Sequence, residues 1–218
     1  MVRTKTKKTV VAIVPAFNEA ERIGAVLNIL KKVKVIDNII VVDDGSTDNT
    51  TEVAKKYKVK VIRNKINLGK ALAMDKAVKT SKADIIFFSD ADLKGLTPEI
   101  IEDIIKPVFE GKLEMFAAIR DRKIYKIIGT KFIPHVGGER ALTRKLWGQI
   151  PMRYMHKYRI EPALNFYARK YKGFRFKAYP MGQIIKEKKY GILSGFRRRI
   201  ITLCSIAYGY ILLFVFRK

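Results

Sequence analysis

Apolar runs of strand length alternate with amphipathic stretches of helix length through the first 120 residues. Val10-Val11-Ala12-Ile13-Val14, Ile39-Ile40-Val41-Val42 and Ala83-Asp84-Ile85-Ile86-Phe87-Phe88-Ser89 carry the near-continuous apolar pattern of strands covered on both faces. Val59-Lys60-Val61-Ile62 alternates, and Met115 to Ile119 adds a further strand. Between them the apolar positions shift to helical spacing. Asn18 is placed to cap a helix running to about Lys32, with Ile23, Val26, Leu27 and Leu30 on one face. Helices are also expected over 47–57 and 68–78, and Thr97-Pro98-Glu99 opens another with Thr97 as N-cap. This order predicts an α/β fold with a mostly parallel, Rossmann-like sheet and helices on both faces.

After Asp121 the pattern loosens. Gly137-Gly138 breaks the chain before a helix expected over 139–147; a second helix is expected over 161–171 and a late strand over 173–179. This half completes the first domain, giving one domain over 1–196, with 1–120 as its first half and 121–196 as its second. Residues 197–218 form a separate basic and apolar tail, expected to be helical. Ile200 to Phe216 carries no charge and is flanked by Arg197-Arg198-Arg199 and Arg217-Lys218. Seventeen residues sit at the lower limit for spanning a bilayer. An interfacial helix with Tyr208 and Tyr210 at headgroup depth fits as well, as does packing against the domain or a second subunit.

Charge changes the picture more than size does. The formal net charge is +25, with +6 in residues 1–120 and +19 in 121–218, where Asp121, Glu139, Glu161 and Glu187 are the only acids. Such a half suits an anionic partner: phosphates, acidic lipid or nucleic acid. Its basic and aromatic residues form no RNA-binding signature, so nucleic acid is the weaker expectation. A single cysteine, Cys204, excludes an internal disulfide framework and fits a cytoplasmic protein, peripheral on the membrane if the tail engages lipid.

Three strand ends carry candidate chemistry: Pro15-Ala16-Phe17-Asn18-Glu19, Asp43-Asp44-Gly45-Ser46 and Ser89-Asp90-Ala91-Asp92. In an open α/β sheet, ligands bind beyond the carboxyl ends of the strands. Two carboxylates there, one residue apart, suit a hard divalent cation that also holds substrate phosphates. Asn67-Leu68-Gly69-Lys70 adds a cation in a helix's first turn, where it opposes the helix dipole; a phosphate or base role accounts for it better.

VPAFNEAERI, VVDDGSTDNT, NLGKALAM and FFSDADL, in that order, resemble a family 2 glycosyltransferase of the GT-A fold. The segments are also similar to retaining enzymes that make glucosyl- or mannosyl-3-phosphoglycerate. The likeness continues less firmly through 137–147 and 160–170. It implies a UDP- or GDP-linked sugar donor, with Pro15 and Glu19 bordering the nucleoside and Asp44 and Ser46 at the base. Lys70 would lie near the base or diphosphate, Asp90 near the ribose and metal, and Asp92 would bind Mg²⁺ or Mn²⁺. Among the late acids, Glu161 in IEPAL is similar to the family's segment holding the acidic base, and Glu139 in GGERAL is the second candidate. In a retaining enzyme Glu161 would position the acceptor instead. The acceptor is an hydroxyl or phosphate, with polyprenyl phosphate or another anionic small molecule expected. The family's late histidine has no counterpart in Pro180-Met181-Gly182-Gln183, and His135 and His156 lie elsewhere. The competing readings are a basic nucleic-acid-binding or membrane-tethering protein without catalysis, and a nucleotidyltransferase. The latter is disfavoured because Pro15–Glu19 is not a Gly-rich phosphate loop.

Overall fold

The computed structural model describes residues 8–120, 138–156, 159–171, 173–183 and 192–215. Asp121, His135, Gly137 and Glu187 lie outside them. The strands are β1 (Val10–Ala16), β2 (Asn38–Asp43), β3 (Lys60–Arg63), β4 (Ile85–Phe88), β5 (Leu93–Lys94), β6 (Met115–Arg120), β7 (Arg140–Thr143), β8 (Phe174–Tyr179) and β9 (Gly182–Gln183). The helices are α1 (Ile23–Leu30), α2 (Thr50–Lys56), α3 (Lys70–Thr80), α4 (Pro98–Phe109), α5 (Arg144–Gly148), α6 (Ile160–Lys170) and α7 (Ile192–Val215).

Seven strands form one sheet in the order β3-β2-β1-β4-β7-β6-β8. β1, β2, β3 and β4 pair in parallel, and β6 pairs in parallel with β8. β7 is antiparallel to both its neighbours, with Phe88 opposite Arg140 and Ala117 opposite Arg140 on the other side. The sheet is therefore mostly parallel, with one reversed strand near its middle.

Successive residues of β1 feed opposite cores. Val10, Ala12 and Val14 pack with Ile23, Val26 and Leu27 of α1 and Ile101, Ile104 and Ile105 of α4. Val11 and Ile13 pack on the other face with Met74 and Val78 of α3, Trp147 of α5 and Leu164 of α6. Burial on both faces is what selects a continuous apolar run over an alternating one.

Three local expectations are corrected. The first helix begins at Ile23 with Arg22 at its N-cap, not at Asn18. Asn18 sits at φ 55°, and its side-chain oxygen instead accepts from the Thr47 N–H at 2.9 Å. Secondly, residues 140–143 are a strand and only 144–148 are helical. Glu-Arg-Ala-Leu has helical propensity, but two neighbouring strands supply ladder partners on both sides, and pairing overrides it. Thirdly, α6 runs from Ile160 to Lys170, one residue earlier than expected, so Pro162 is its third residue. A proline is tolerated in the first turn, where its missing N–H would have lacked a partner anyway. Thr97 caps α4 as expected, its hydroxyl accepting from the Ile100 N–H at 3.3 Å.

α7 lies along α6. Ser205, Ile206 and Leu213 are buried in that seam. A Cβ on Gly209 would come 3.3 Å from Pro162 Cγ and 3.4 Å from Arg159 Cα, so glycine permits the close approach. The Arg159 guanidinium stacks over the Tyr208 ring at 4.5 Å. Among the described residues no helix is long and apolar enough to cross a membrane.

Candidate active site

The carboxyl ends of β1, β2 and β4 meet at one edge of the sheet, and the first residue of the reversed β7 joins them there. Antiparallel pairing has a direct consequence. A parallel strand in that place would bring its last residues to this edge; β7 brings Glu139 and Arg140 beside the end of β4.

On the β2 side, Asp44 is buried and organises a loop. Its Oδ1 accepts from Asn64 Nδ2 at 2.7 Å and the Leu68 N–H at 3.0 Å, while Oδ2 accepts from the Gly69 N–H at 2.7 Å. A carboxylate offers about four acceptor positions, so capacity for one further donor remains. Gly69, at φ 93°, turns the chain into α3. Ser46 Oγ accepts from the Asn18 N–H at 2.9 Å, and the Glu19 N–H donates to Thr50 Oγ1 at 2.8 Å. Pro15, in β1, lies opposite Val42. These bonds tie Pro15, Glu19, Asp44 and Ser46 into one corner. Asp48, by contrast, serves the turn, accepting from the Thr50 and Ala20 N–H groups.

The loop that Asp44 holds leads directly into Lys70, the first residue of α3. Lys70 Nζ donates to Asp90 Oδ1 at 2.5 Å and lies 3.9 Å from Glu161 Oε1. Burial by itself would lower the pKa of this ammonium. Asp90, Glu161 and Glu139 together outweigh that and hold it above the ordinary lysine value. Lys70 is therefore firmly charged, which explains a cation at a helix start.

Arg140 is 1% exposed, and it feels the charges of Glu161, Glu139 and Asp90, which counter the lowering of its pKa by burial. Glu139 is fully buried, and Glu161 is 4% exposed. Among the described residues Glu161 Oε2 has no hydrogen-bond partner, and its Oε1 lies 3.9 Å from Lys70 Nζ. The structure thus gathers Lys70, Asp90, Glu139 and Glu161 from four separate elements.

Sequence reasoning missed two members of this cluster. Arg140 sat inside a segment read as helix, where its charge implied solvent. Gly138 backs onto Asp90: a Cβ there would overlap the carboxylate. The paired glycines were a visible signal, read only as a chain break.

Asp90 and Asp92 flank Ala91 in the turn after β4, both partly buried. Among the described residues no three His, Cys, Asp or Glu side chains form a metal cage. A hard divalent cation needs only one or two protein carboxylates when substrate phosphates and water complete its shell, and these two aspartates fit that mode. β5, immediately after Asp92, pairs with β9, placing Leu93 opposite Gln183 and Lys94 opposite Gly182. The segment without a histidine is therefore adjacent, through its backbone, to the turn that carries Asp90 and Asp92. His156 is exposed.

An uncharacterised protein of Methanocaldococcus jannaschii is 44% identical over 109 residues, covering 48% of this chain and 44% of its own length. The glucosyl-3-phosphoglycerate synthase of Mycolicibacterium smegmatis is 31% identical over 113 residues, covering 48% of this chain and 37% of its own. The crystal structure of glucosyl-3-phosphoglycerate synthase from Mycobacterium tuberculosis in complex with Mn²⁺, uridine-diphosphate and phosphoglyceric acid matches with a TM-score of 0.72. It is 22% identical, and the match covers 91% of this chain and 78% of that one. The sheet and its helices are thus the GT-A fold of nucleotide-sugar transferases. The model of the family "Glycosyl transferase family 2" matches residues 11–182, and the chain belongs to that family. It spans about half the length of the curated relatives it matches.

Proposed function

We propose that the chain transfers a glycosyl group from a UDP- or GDP-linked sugar to an anionic acceptor. The observation that carries this reading is the cluster at the sheet edge, where Lys70, Asp90, Glu139, Arg140 and Glu161 converge beside Asp92. Pro15, Glu19, Asp44 and Ser46 receive the nucleoside, and the remaining acceptor position of Asp44 takes an N–H of the base. Asp90 would lie toward the ribose and, with Asp92, would hold Mg²⁺ or Mn²⁺, the ions present with uridine-diphosphate in complexes of glucosyl-3-phosphoglycerate synthase. When bound, the ion supplies positive charge to the departing diphosphate.

In the transfer, the acceptor oxygen forms a bond to the anomeric carbon as the bond to the diphosphate breaks, and the nucleoside diphosphate leaves. Lys70 turns its ammonium from Asp90 toward the developing negative charge. Glu161 handles the acceptor: its Oε2, without a hydrogen-bond partner among the described residues, takes the hydroxyl proton, or orients the hydroxyl if the anomeric configuration is retained. Glu139, wholly buried, supports the acceptor side by its charge next to Arg140. The +19 balance of residues 121–218 favours a phosphate-bearing acceptor, whether a small molecule such as phosphoglycerate or a polyprenyl phosphate.

The test is Glu161→Gln, assayed with UDP- and GDP-sugars, Mn²⁺ and phosphorylated acceptors. Transfer should fall at least ~100-fold while donor affinity stays near wild type, the loss expected for removal of a proton acceptor. Equal losses in transfer and donor affinity would give Glu161 a structural role instead.

A further inference from the structure

α7 has two apolar faces, and the described residues pack against only one of them. Ser205, Ile206, Gly209 and Leu213 form the seam against α6. On the opposite side Ile200, Leu203, Ala207, Ile211 and Phe214 recur at helical spacing, and Leu203, Ile211 and Phe214 are 61%, 57% and 77% exposed. Singly exposed hydrophobics need no explanation; an uninterrupted stripe over four turns does. Nothing charged falls between Ile200 and Val215, and Arg197-Arg198-Arg199 occupies the preceding turn.

We propose that this stripe docks the protein on an anionic bilayer surface, with α7 lying in the plane of the interface. The occupant follows from charge. The chain has no acid after Glu187, and residues 121–218 carry +19, so acidic headgroups complement the surroundings of the stripe. A second copy would bring another +25 molecule with its own Arg197-Arg198-Arg199 against the first, placing like charges together. The orientation follows from length and packing. The 16 residues from Ile200 to Val215 extend about 24 Å at 1.5 Å per residue, short of a hydrocarbon core of about 30 Å. The Ser205–Leu213 seam also commits the other side of α7 to α6. A helix so held can bury its free side in the interface but cannot turn upright.

Docking deepens the proposed transferase reading and rests on it for its purpose. α6 carries Glu161, and α7 touches the first turn of α6 at Arg159 and Pro162. The acceptor end of the site would thus be held next to the lipid, where an acceptor with an apolar anchor presents its phosphate.

The test uses the full chain and its only cysteine. Cys204 is exposed on α7, next to the stripe, and accepts an environment-sensitive fluorophore. Unlabelled protein should co-sediment with phosphatidylglycerol-containing vesicles at least tenfold better than with phosphatidylcholine vesicles, with salt weakening the binding. The fluorophore should shift to the blue on the anionic vesicles only. Leu203→Ser/Ile211→Ser/Phe214→Ser should reduce vesicle binding at least tenfold while leaving circular dichroism and Mn²⁺-dependent UDP binding at wild-type levels. Vesicle binding unchanged in that variant, or absent in the wild type, would overturn the proposal. So would a dimer, seen by sedimentation velocity, that the triple variant dissociates. Loss of UDP binding in the wild type would instead defeat the transferase reading, independently of the vesicle result.

Discussion

Gly138→Ala offers a sharp test of the site, because it adds one methyl group and removes no charge. The new Cβ would overlap the Asp90 carboxylate, whose other side is held by Lys70 Nζ at 2.5 Å. Backbone and carboxylate cannot both stay. Forcing a methyl group into a packed site costs about 1–3 kcal/mol, roughly 2–12 °C in Tm for a chain of this size. The functional loss should be larger in proportion: a displacement of about 1 Å at a reacting centre can remove ~100-fold in rate. The expected result is a folded variant, slightly destabilised, with Mn²⁺-dependent UDP binding and turnover down by about two orders of magnitude. Gly148→Ala is the control. That glycine has open space where its Cβ would sit, at the last residue of α5, so alanine should leave Tm and turnover unchanged or raise Tm slightly. Thermal melts, calorimetric titration of UDP with Mn²⁺ and release of nucleoside diphosphate separate the three effects. Wild-type UDP affinity and turnover in Gly138→Ala would refute the placement of Asp90 against residue 138.

Two further outcomes follow from the same structure. Gly209→Leu should wedge α7 away from Pro162 and Arg159, lowering kcat while leaving donor KM near wild type; a fall confined to donor KM would show that the seam does not reach Glu161. Asp84 accepts from both the N–H and hydroxyl of Thr9 at 2.9 Å, and these bonds hold its pKa below the ordinary carboxylate value. Stability from this pair is therefore present above about pH 4 and is lost as pH falls through the lowered pKa, so Asp84→Asn should lower Tm at neutral pH and flatten its decline below about pH 4; parallel acid profiles would contradict the assignment.

Much of the parallel half was legible because its physics is local. A strand buried on both faces must be apolar throughout, as β1, β4 and the Ile39–Val42 stretch of β2 are, so their ends located Asp44, Asp90 and Asp92 directly. Thr97-Pro98 announced α4 through capping chemistry that involves only neighbours in sequence. What escaped was set by tertiary partners. Arg140-Ala141-Leu142-Thr143 has neither strand composition nor alternation; it is a strand because β4 and β6 leave one open place between them. Misreading β7 as helix also concealed Arg140, since an arginine in such a helix is expected to face water. Asn18 failed for a similar reason: its side chain had a competing partner, the Thr47 N–H, 29 residues away.

Electrostatics gives the strongest reason to regard the cluster as built for a ligand. Residues 121–218 contain four acids in all, yet two of them, Glu139 and Glu161, are buried around Lys70 and Arg140. With Asp90 and Asp92, the described residues set four carboxylates against two cations. In a chain of +25, chance composition would favour the opposite balance. Buried carboxylates are costly unless matched by positive charge, and a divalent cation beside Asp90 and Asp92 would add such charge. A diphosphate alone would add negative charge beside these carboxylates, whereas an ion arriving with the diphosphate would offset it. The proposed donor and metal should accordingly bind as a linked pair, with UDP affinity rising steeply with Mn²⁺ and weak without it. Lys70 makes the proposed linkage intelligible: its ammonium is bonded to Asp90 in the structure, and with an ion held at Asp90 that charge would be available to the phosphates.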